Sequence, residues 1–384
     1  MQNTIYEYEE IKEDSEDYKK LKSYIINTTE LHKYFTLDWK DLKAKQYCGI
    51  LNFNNQDFYI LPKIANRNDE KNLNIFIYML MYAYDVKLLN ENTSFSENLK
   101  SNNILEVFVQ MFANGLLQEL KKGLYKEYLT KQDNLPVLKG KYLINENLKY
   151  NFIKNKIYCE YVEFSENNSL NQFFLYAIKY LQKFVNDKKL LKQCELIFDE
   201  VEYKSVDINK LNIHFDRLNL RFKTSFEIAL LLLRQSIPLF NQDKKSFAFL
   251  FDMNVLFEKF IARMVKELDN NAKIQNQDDF GDLTLKPDII LENQIIDTKY
   301  KKLNSLDVIK QSDKLQAFSY GINYKVENVM LLYPKNEKDM ISDLVLGEDD
   351  NKVELKIQTI DLNYDKDSFN EYIYEIRNRI GEIV

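Results

Sequence analysis

LTLKPDIILENQIIDTKYKKL, from Leu283 to Leu303, decides how this chain is read. Two β-rich runs, Asp288–Leu291 and Gln294–Tyr300, flank the dipeptide Glu292-Asn293, which is the pattern of a hairpin. With a two-residue loop, Leu291 pairs with Gln294, Ile290 with Ile295, Ile289 with Ile296, and Asp288 with Asp297. Side chains alternate along a strand, so Lys299 shares the face of Asp297, and Asp288, Asp297 and Lys299 form one polar cluster. Two like charges ~5 Å apart across a ladder weaken it, so this placement asks for a compensating cation. Mg²⁺ suits the role: it takes oxygen ligands at ~2.1 Å and keeps open positions for water and phosphate oxygens. Such an ion lowers the pKa of a bound water and stabilises charge developing on a phosphodiester, while Lys299 orients the water or neutralises the transition state. The implied chemistry is metal-dependent phosphodiester hydrolysis.

Just upstream, Asp252 is placed to cap a helix whose apolar positions, Leu256, Phe257, Phe260, Ile261, Met264, Val265 and Leu268, recur at helical spacing; Glu258 sits at the flank of that stripe. Downstream, Val326–Tyr333, stopped by Pro334, reads as a further buried strand, and Ser368–Ile383 as a covering helix. Toward the amino terminus, Gly49–Phe53 and Phe58–Leu61 form a second hairpin pattern around Asn54, Asn55 and Gln56. Leu73–Leu89 is apolar almost all round and suits a buried helix, and Asn103–Tyr128 suits a long amphipathic one. From Leu135 to Phe164 the pattern predicts short strands (LPVLKGKYLI, NENLKYNF, IYCEYVEF) around Gly140, then helices over Asn171–Val185 and Phe222–Leu239, with Pro238 as a stop. The expected architecture is an α+β amino-terminal domain, residues 1–170, followed by an α/β domain, residues 171–384, with a central mixed sheet and a core over about 246–345.

Composition narrows the function classes. The 384 residues include 26 Tyr and 25 Phe against 5 Pro and 8 Gly, which excludes a disordered chain. A net charge of -6 excludes a broad basic surface that holds nucleic acid by its own electrostatics, so contact with DNA is expected to be local or assisted. Cys48, Cys159 and Cys194 are far apart, and with only His32 and His214 available they read as reduced core thiols rather than zinc ligands. Met1–Lys20 is acidic with no signal-peptide pattern, and no apolar stretch reaches the ~18 residues of a membrane span, so a soluble cytoplasmic protein is expected. There is no GxxxxGK[ST] loop, no GxSxG elbow and no HExxH.

Pro287-Asp288 followed by Asp297-Thr298-Lys299 resembles the PD-(D/E)xK motif of restriction-endonuclease-like nucleases. In that resemblance Glu258 matches an acidic residue on an upstream helix and becomes a third metal ligand beside Asp288 and Asp297. Gln316 and Tyr320 match a QxxxY arrangement; at i and i+4 they share a helix face and reach the same site. The wider sequence is similar to the McrC family, the nuclease subunits of McrBC-type restriction systems. FLFDMNVLFEKFIARM, LKPDIIL, IIDTKYK and LLYP carry the likeness around the motif, and GILNFNNQDFYILPKI, IYMLMYAY, KGKYLINENLKYN and CEYVEFSENNSLNQ carry it upstream. The resemblance implies a restriction-endonuclease-like carboxy-terminal domain that cuts DNA with Mg²⁺. It also implies an amino-terminal domain whose β-rich projection engages an McrB-type AAA+ GTPase ring and stimulates it. GTP, and recognition of methylated DNA, would then belong to the partner. Two departures are noted: Gly321 directly after Tyr320, a candidate helix C-cap, and Asp297 where Glu is an alternative.

Two other readings stay open. One is an adaptor whose main task is to activate a GTPase ring; the intact Asp288, Asp297 and Lys299 argue against an idle site. The other is a self-sufficient nuclease of the same superfamily; the long amino-terminal half and the acidic balance argue for a partner. Lys301 and Lys302 could meet phosphate, and Lys139 and Lys141 around Gly140 could meet the partner.

Overall fold

The computed structural model describes residues 3–11, 16–37, 41–53, 56–85, 104–153, 155–241, 244–301, 303, 305, 309–336, 338–364 and 368–384. Two units emerge, one of residues 1–104 and 235–384 and one of residues 105–234. The expected boundary near residue 170 falls inside the second unit, because the amino-terminal sheet takes strands from the far half of the sequence.

The first unit opens with β1 (Thr4–Tyr6), α1 (Glu16–Asn27) and the hairpin β2 (Phe35–Leu37) to β3 (Leu42–Ala44). The alternating run that follows forms the expected hairpin, β4 (Tyr47–Phe53) against β5 (Gln56–Leu61), in the register Gly49↔Ile60 to Phe53↔Gln56; Asn54 and Asn55 lie outside the described residues. β1 adds in parallel to β5. Leu21, Ile25, Phe35, Leu51 and Phe58 pack into one buried cluster. α2 (Asp69–Ala83) is the all-apolar run made helical: the Asn68 side chain accepts from the Lys71 N–H at 3.0 Å, and every residue from Asn72 to Tyr82 is buried. The expected continuation over 86–89 lies outside the described residues.

In the second unit, α3 (Ile104–Leu120) stops at Leu120 rather than reaching Tyr128, and the expected start at Asn103 lies outside the described residues. Gly123 turns the chain at φ +106°, and the alternating EYLTKQDNL then forms β6 (Glu127–Leu135). With β7 (Lys141–Tyr142) and β8 (Ile157–Ser165) it makes an antiparallel sheet in the order β6-β8-β7. The stretch NENLKYNF, expected as a strand, is instead the exposed helix α4 (Ile144–Tyr150). Asparagine side chains hold it: Asn147 Oδ1 accepts from the Tyr158 N–H at 3.0 Å, and Asn151 Nδ2 donates to the Lys156 carbonyl at 3.1 Å. Gly140 is required where it stands, since at φ +73° a Cβ would lie 2.3 Å from the Glu160 carbonyl oxygen. Helices α5 (Ser169–Leu181), α6 (Lys189–Ile197) and α7 (Lys223–Gln235) follow, with the Phe173 ring in contact with both Phe174 and Phe226.

The chain returns to the first unit through β9 (Ser236–Asn241), where the helix expected to reach Leu239 has already ended. Pro238 sits on an edge strand, the place in a sheet where a missing N–H costs least. β10 (Lys244–Asp252) pairs antiparallel with both β9 and β4 and completes the order β1-β5-β4-β10-β9. Asp252 then caps α8 (Met253–Leu268), accepting from the Asn254 N–H at 2.9 Å, and the predicted stripe is buried from Leu256 to Val265.

After β11 (Lys273–Ile274), β12 (Asp278–Phe280) and β13 (Leu283–Leu285) come β14 (Ile289–Ile290), β15 (Gln294–Thr298), α9 (Gln311–Tyr324), β16 (Asn328–Pro334), β17 (Ile341–Leu346), β18 (Val353–Ile360) and α10 (Phe369–Gly381). The six-stranded sheet runs β11-β14-β15-β16-β18-β17, parallel across β15-β16-β18 and antiparallel elsewhere, so it is mixed. A parallel pair needs a crossover, which α9 supplies, burying Ala317 and Tyr320 against Ile295, Val329, Leu331 and Leu355. Gly321 lies inside α9, where an added Cβ would come within 2.5 Å of a Val353 methyl; the C-cap is Lys325, left-handed at φ 57°. The expected cap at Gly321 is therefore a close-packing position. All three cysteines are buried thiols, and among the described residues no helix is long and apolar enough to cross a membrane.

Candidate active site

The register at the decisive hairpin is Ile289↔Ile296 and Ile290↔Ile295, closed by the Leu291 N–H on the Gln294 carbonyl at 2.8 Å, as the two-residue loop requires. The ladder ends at Ile289↔Ile296, and Asp288, the residue just before it, reaches the opposite strand through Thr298. Asp297 is locked between strands, paired with Leu331 of β16, and only 2 % exposed. Each carboxylate already has a local partner. Asp288 Oδ2 accepts from both the N–H and the Oγ1 of Thr298 at 2.7 Å, and Asp297 Oδ2 lies 2.5 Å from Lys299 Nζ.

From Lys299 the hydrogen bonds continue onto α9. Lys299 Nζ donates to Gln316 Oε1 at 3.1 Å, Gln316 Nε2 donates to Tyr320 Oη at 2.8 Å, and Tyr320 Oη donates to the Lys286 carbonyl at 3.2 Å. The i, i+4 spacing of Gln316 and Tyr320 places both on the helix face that covers the hairpin. The chain of contacts thus ties the two carboxylate positions, the lysine and the helix into one network.

The electrostatics are those of crowded, partly desolvated carboxylates. Burial, then the charge of Asp288, pushes Glu258 of α8 up to about 7. Burial also pushes Asp297 up to about 6, with Lys299 opposing and Asp288 adding to the rise. Burial pulls Lys299 down, but the charge and hydrogen bond of Asp297 outweigh it and the ammonium is held above its ordinary value. Glu258, Asp288 and Asp297 are therefore within electrostatic reach of one another. Among the described residues no three His, Cys, Asp or Glu side chains are already gathered at ligating distance around one point.

Sequence reading missed Asp313. It is 8 % exposed in the first turn of α9, binds Lys301 at 3.0 Å, and adds to the rise of both Asp297 and Lys299. Its position three residues before Gln316, on the same helix face, was the available signal. The structure brings Lys301 to Asp313, while Lys302 lies outside the described residues.

The raised carboxylates predict a pH dependence of stability. Their folded-state values lie above those of an unfolded chain, so the folded protein holds extra protons at mildly acid pH, and that contribution is lost as pH rises through 6 to 7. In chelator, the melting temperature should fall by a few degrees between about pH 5.5 and about pH 8, and by less in Glu258→Gln. Equal falls in wild type and variant would show that Glu258 does not belong to the cluster.

Against this geometry, the family model described as McrBC 5-methylcytosine restriction system component matches residues 42–334, well over half of the chain. The chain belongs to the McrBC restriction component family. The recognition drawn from the motifs therefore stands. A chain of the refined half-complex from a tetradecameric assembly of Thermococcus gammatolerans McrB AAA+ hexamers with bound McrC is similar at 20% identity and a TM-score of 0.63, covering 99% of each chain. At that identity the likeness establishes the fold. A cryo-EM structure of the Thermococcus gammatolerans McrBC complex is similar at 25% identity and a TM-score of 0.48, over 71% of this chain and 89% of that one. No curated protein matches the sequence.

Proposed function

We propose that this chain is the DNA-cleaving subunit of a GTP-dependent McrBC-type restriction complex, with a PD-(D/E)xK centre on its six-stranded sheet. The observation that carries the reading is the ion pair of buried Asp297 with half-buried Lys299 on the hairpin that also carries Asp288, joined to Gln316 and Tyr320. Asp288, Asp297 and Glu258 form a set of hard oxygen donors, two of them raised first by burial and then by their neighbours' charge, which fits a divalent ion of the Mg²⁺ type. When bound there, Mg²⁺ would lower the pKa of a water and offset charge on the phosphodiester. The protein's own part is orientation. Lys299, anchored by Asp297 and Gln316, holds an attacking water or meets charge on a non-bridging phosphate oxygen, and Tyr320 keeps Gln316 in place.

The partner proposed is an McrB-type AAA+ ring that binds GTP, since this sequence has no P-loop and the similar solved chain comes from an assembly of McrB hexamers with McrC. The β6-β8-β7 segment and its helix α4 expose Val137, Leu138, Ile144, Leu148, Phe152 and Ile153, an apolar surface of the kind that interfaces cover.

At a net charge of -6, the isolated chain should bind duplex DNA weakly and cut it slowly, because little counterion is released. Adding the cognate ring, GTP and Mg²⁺ should restore cleavage of methylated DNA. Tight, salt-sensitive binding and rapid cleavage by the chain alone would instead identify a self-sufficient nuclease.

A further inference from the structure

Glu7 follows β1, and its N–H bonds the Leu61 carbonyl at 3.0 Å, so its backbone is fixed to the end of β5. Its side chain is 3 % exposed. Among the described contacts, donors on this buried carboxylate include the Tyr300 hydroxyl at 2.7 Å and the Lys63 N–H at 3.0 Å on Oε1, and the Cys48 thiol at 4.0 Å on Oε2. A carboxylate kept away from water needs such donors, and their number here shows a built arrangement rather than a chance contact.

Tyr300 is the residue after Lys299. The chain leaves the sheet at this point: the Lys299 N–H bonds the Leu332 carbonyl at 2.9 Å, and the Lys301 N–H bonds back to the Lys299 carbonyl at 2.9 Å. Lys299 reaches Asp297 and Gln316, while the Tyr300 ring is buried with its centroid 5.8 Å from that of Phe257. Phe257 is the neighbour of Glu258 on α8. One buried phenol therefore joins the end of the lysine-bearing strand, the helix that carries Glu258 and the first strand of the chain, across 293 residues of sequence.

We propose that the Glu7–Tyr300 hydrogen bond is a latch that sets Lys299 and Glu258 in register, making Glu7 and Tyr300 positioning residues for the cleavage reaction. The latch rests on the nuclease reading above. It assigns the amino-terminal sheet a direct part in the chemistry of the carboxy-terminal hairpin, separate from any part in binding a GTPase. A displacement of about 1 Å at a positioned group is enough to lower a rate a hundredfold, so the loss of one hydroxyl can register in turnover without unfolding the protein.

Tyr300→Phe in the full chain removes only that hydroxyl and keeps the ring packing. With the ring partner, GTP and Mg²⁺, kcat for DNA cleavage should fall about 10- to 100-fold, with KM for DNA near wild type and the melting temperature lowered only by the few degrees that one lost donor to a buried carboxylate costs. Glu7→Gln keeps an acceptor oxygen and should retain most activity, whereas Glu7→Leu should match Tyr300→Phe. A second readout does not depend on cleavage. Hydrogen exchange over residues 297–301 should quicken at least about tenfold in Tyr300→Phe, while 289–296 stays protected. Unchanged kcat with unchanged exchange would overturn the latch, and so would exchange that quickens throughout the protein alongside a matching loss of stability. A wild-type chain that never cuts DNA, combined with quickened exchange confined to 297–301 in the variant, would sink the nuclease reading and leave only the hold of the Glu7–Tyr300 bond on the Lys299 segment.

Discussion

Lys299→Ala should lower DNA cleavage by about 10²- to 10⁴-fold, the range set by losing an oriented charge or proton donor at a reacting phosphate. The ammonium is 2.5 Å from Asp297 and 3.1 Å from Gln316 Oε1, so it is held in one place by groups that do not themselves leave the site. Removing it also strips Asp297 of its counter-charge. The carboxyl, already raised to about 6, would hold its proton to still higher pH, and the activity that survives should need a more alkaline medium. Arginine would not replace it, because a planar guanidinium cannot occupy the position of a compact ammonium between a buried carboxylate and an amide. GTP turnover by the partner ring should be unaffected, since the lysine belongs to the unit built on the six-stranded sheet. The paired measurements are single-turnover cleavage and GTP hydrolysis on the same preparation. Cleavage within a factor of two of wild type would remove Lys299 from the mechanism.

The second large effect belongs to the other unit. Phe152 is 90% exposed, Ile153 76%, Val137 71% and Leu138 55%, beside a Gly140 turn that the backbone geometry makes obligatory. Lys139 lies over the Tyr161 ring at 4.0 Å and bonds Glu163 at 3.5 Å, so it helps hold the turn in its shape. If this surface is the contact with the ring, Phe152→Ser together with Val137→Ser should reduce stimulation of GTP hydrolysis at least about tenfold, as expected for exposed apolar anchors of an interface. Folding should be little changed, because these side chains bury almost nothing in the chain alone. Replacing Lys139–Tyr142 by Gly and Ser should act the same way by loosening the turn. Stimulation that survives both variants would place the contact elsewhere.

How much of this was legible in the sequence depended on whether the deciding interactions were local. The hairpin at Asp288–Lys299 was readable because alternation and a two-residue turn set its register without reference to anything distant. The Asp252 cap and the stripe of α8 were readable for the same reason. NENLKYNF was misread because its helix has no buried stripe and is held by Asn147 and Asn151, whose bonds run to residues beyond it. The division into units was missed because β10 pairs with β4 across about 200 residues, and nothing in FAFLFD or CGILNF names the other as partner. Within the site, the positions of Asp288, Asp297, Lys299, Gln316 and Tyr320 followed from spacing. Their bonding followed only in part: Lys299 was expected in one polar cluster with both carboxylates, and it pairs with Asp297, whereas Asp288 is taken up by Thr298. Asp313 and the Glu7–Tyr300 bond escaped because each depends on tertiary contacts of buried polar groups.

The most direct measurement is cleavage of methylated DNA in Mg²⁺, GTP and the cognate ring by wild type and Asp297→Ala side by side, with GTP turnover recorded in both. Loss of the buried carboxylate should slow cleavage at least about 1,000-fold while GTP turnover stays near wild type. Wild-type cleavage by Asp297→Ala, in a preparation free of other nucleases, would contradict the assignment of the site.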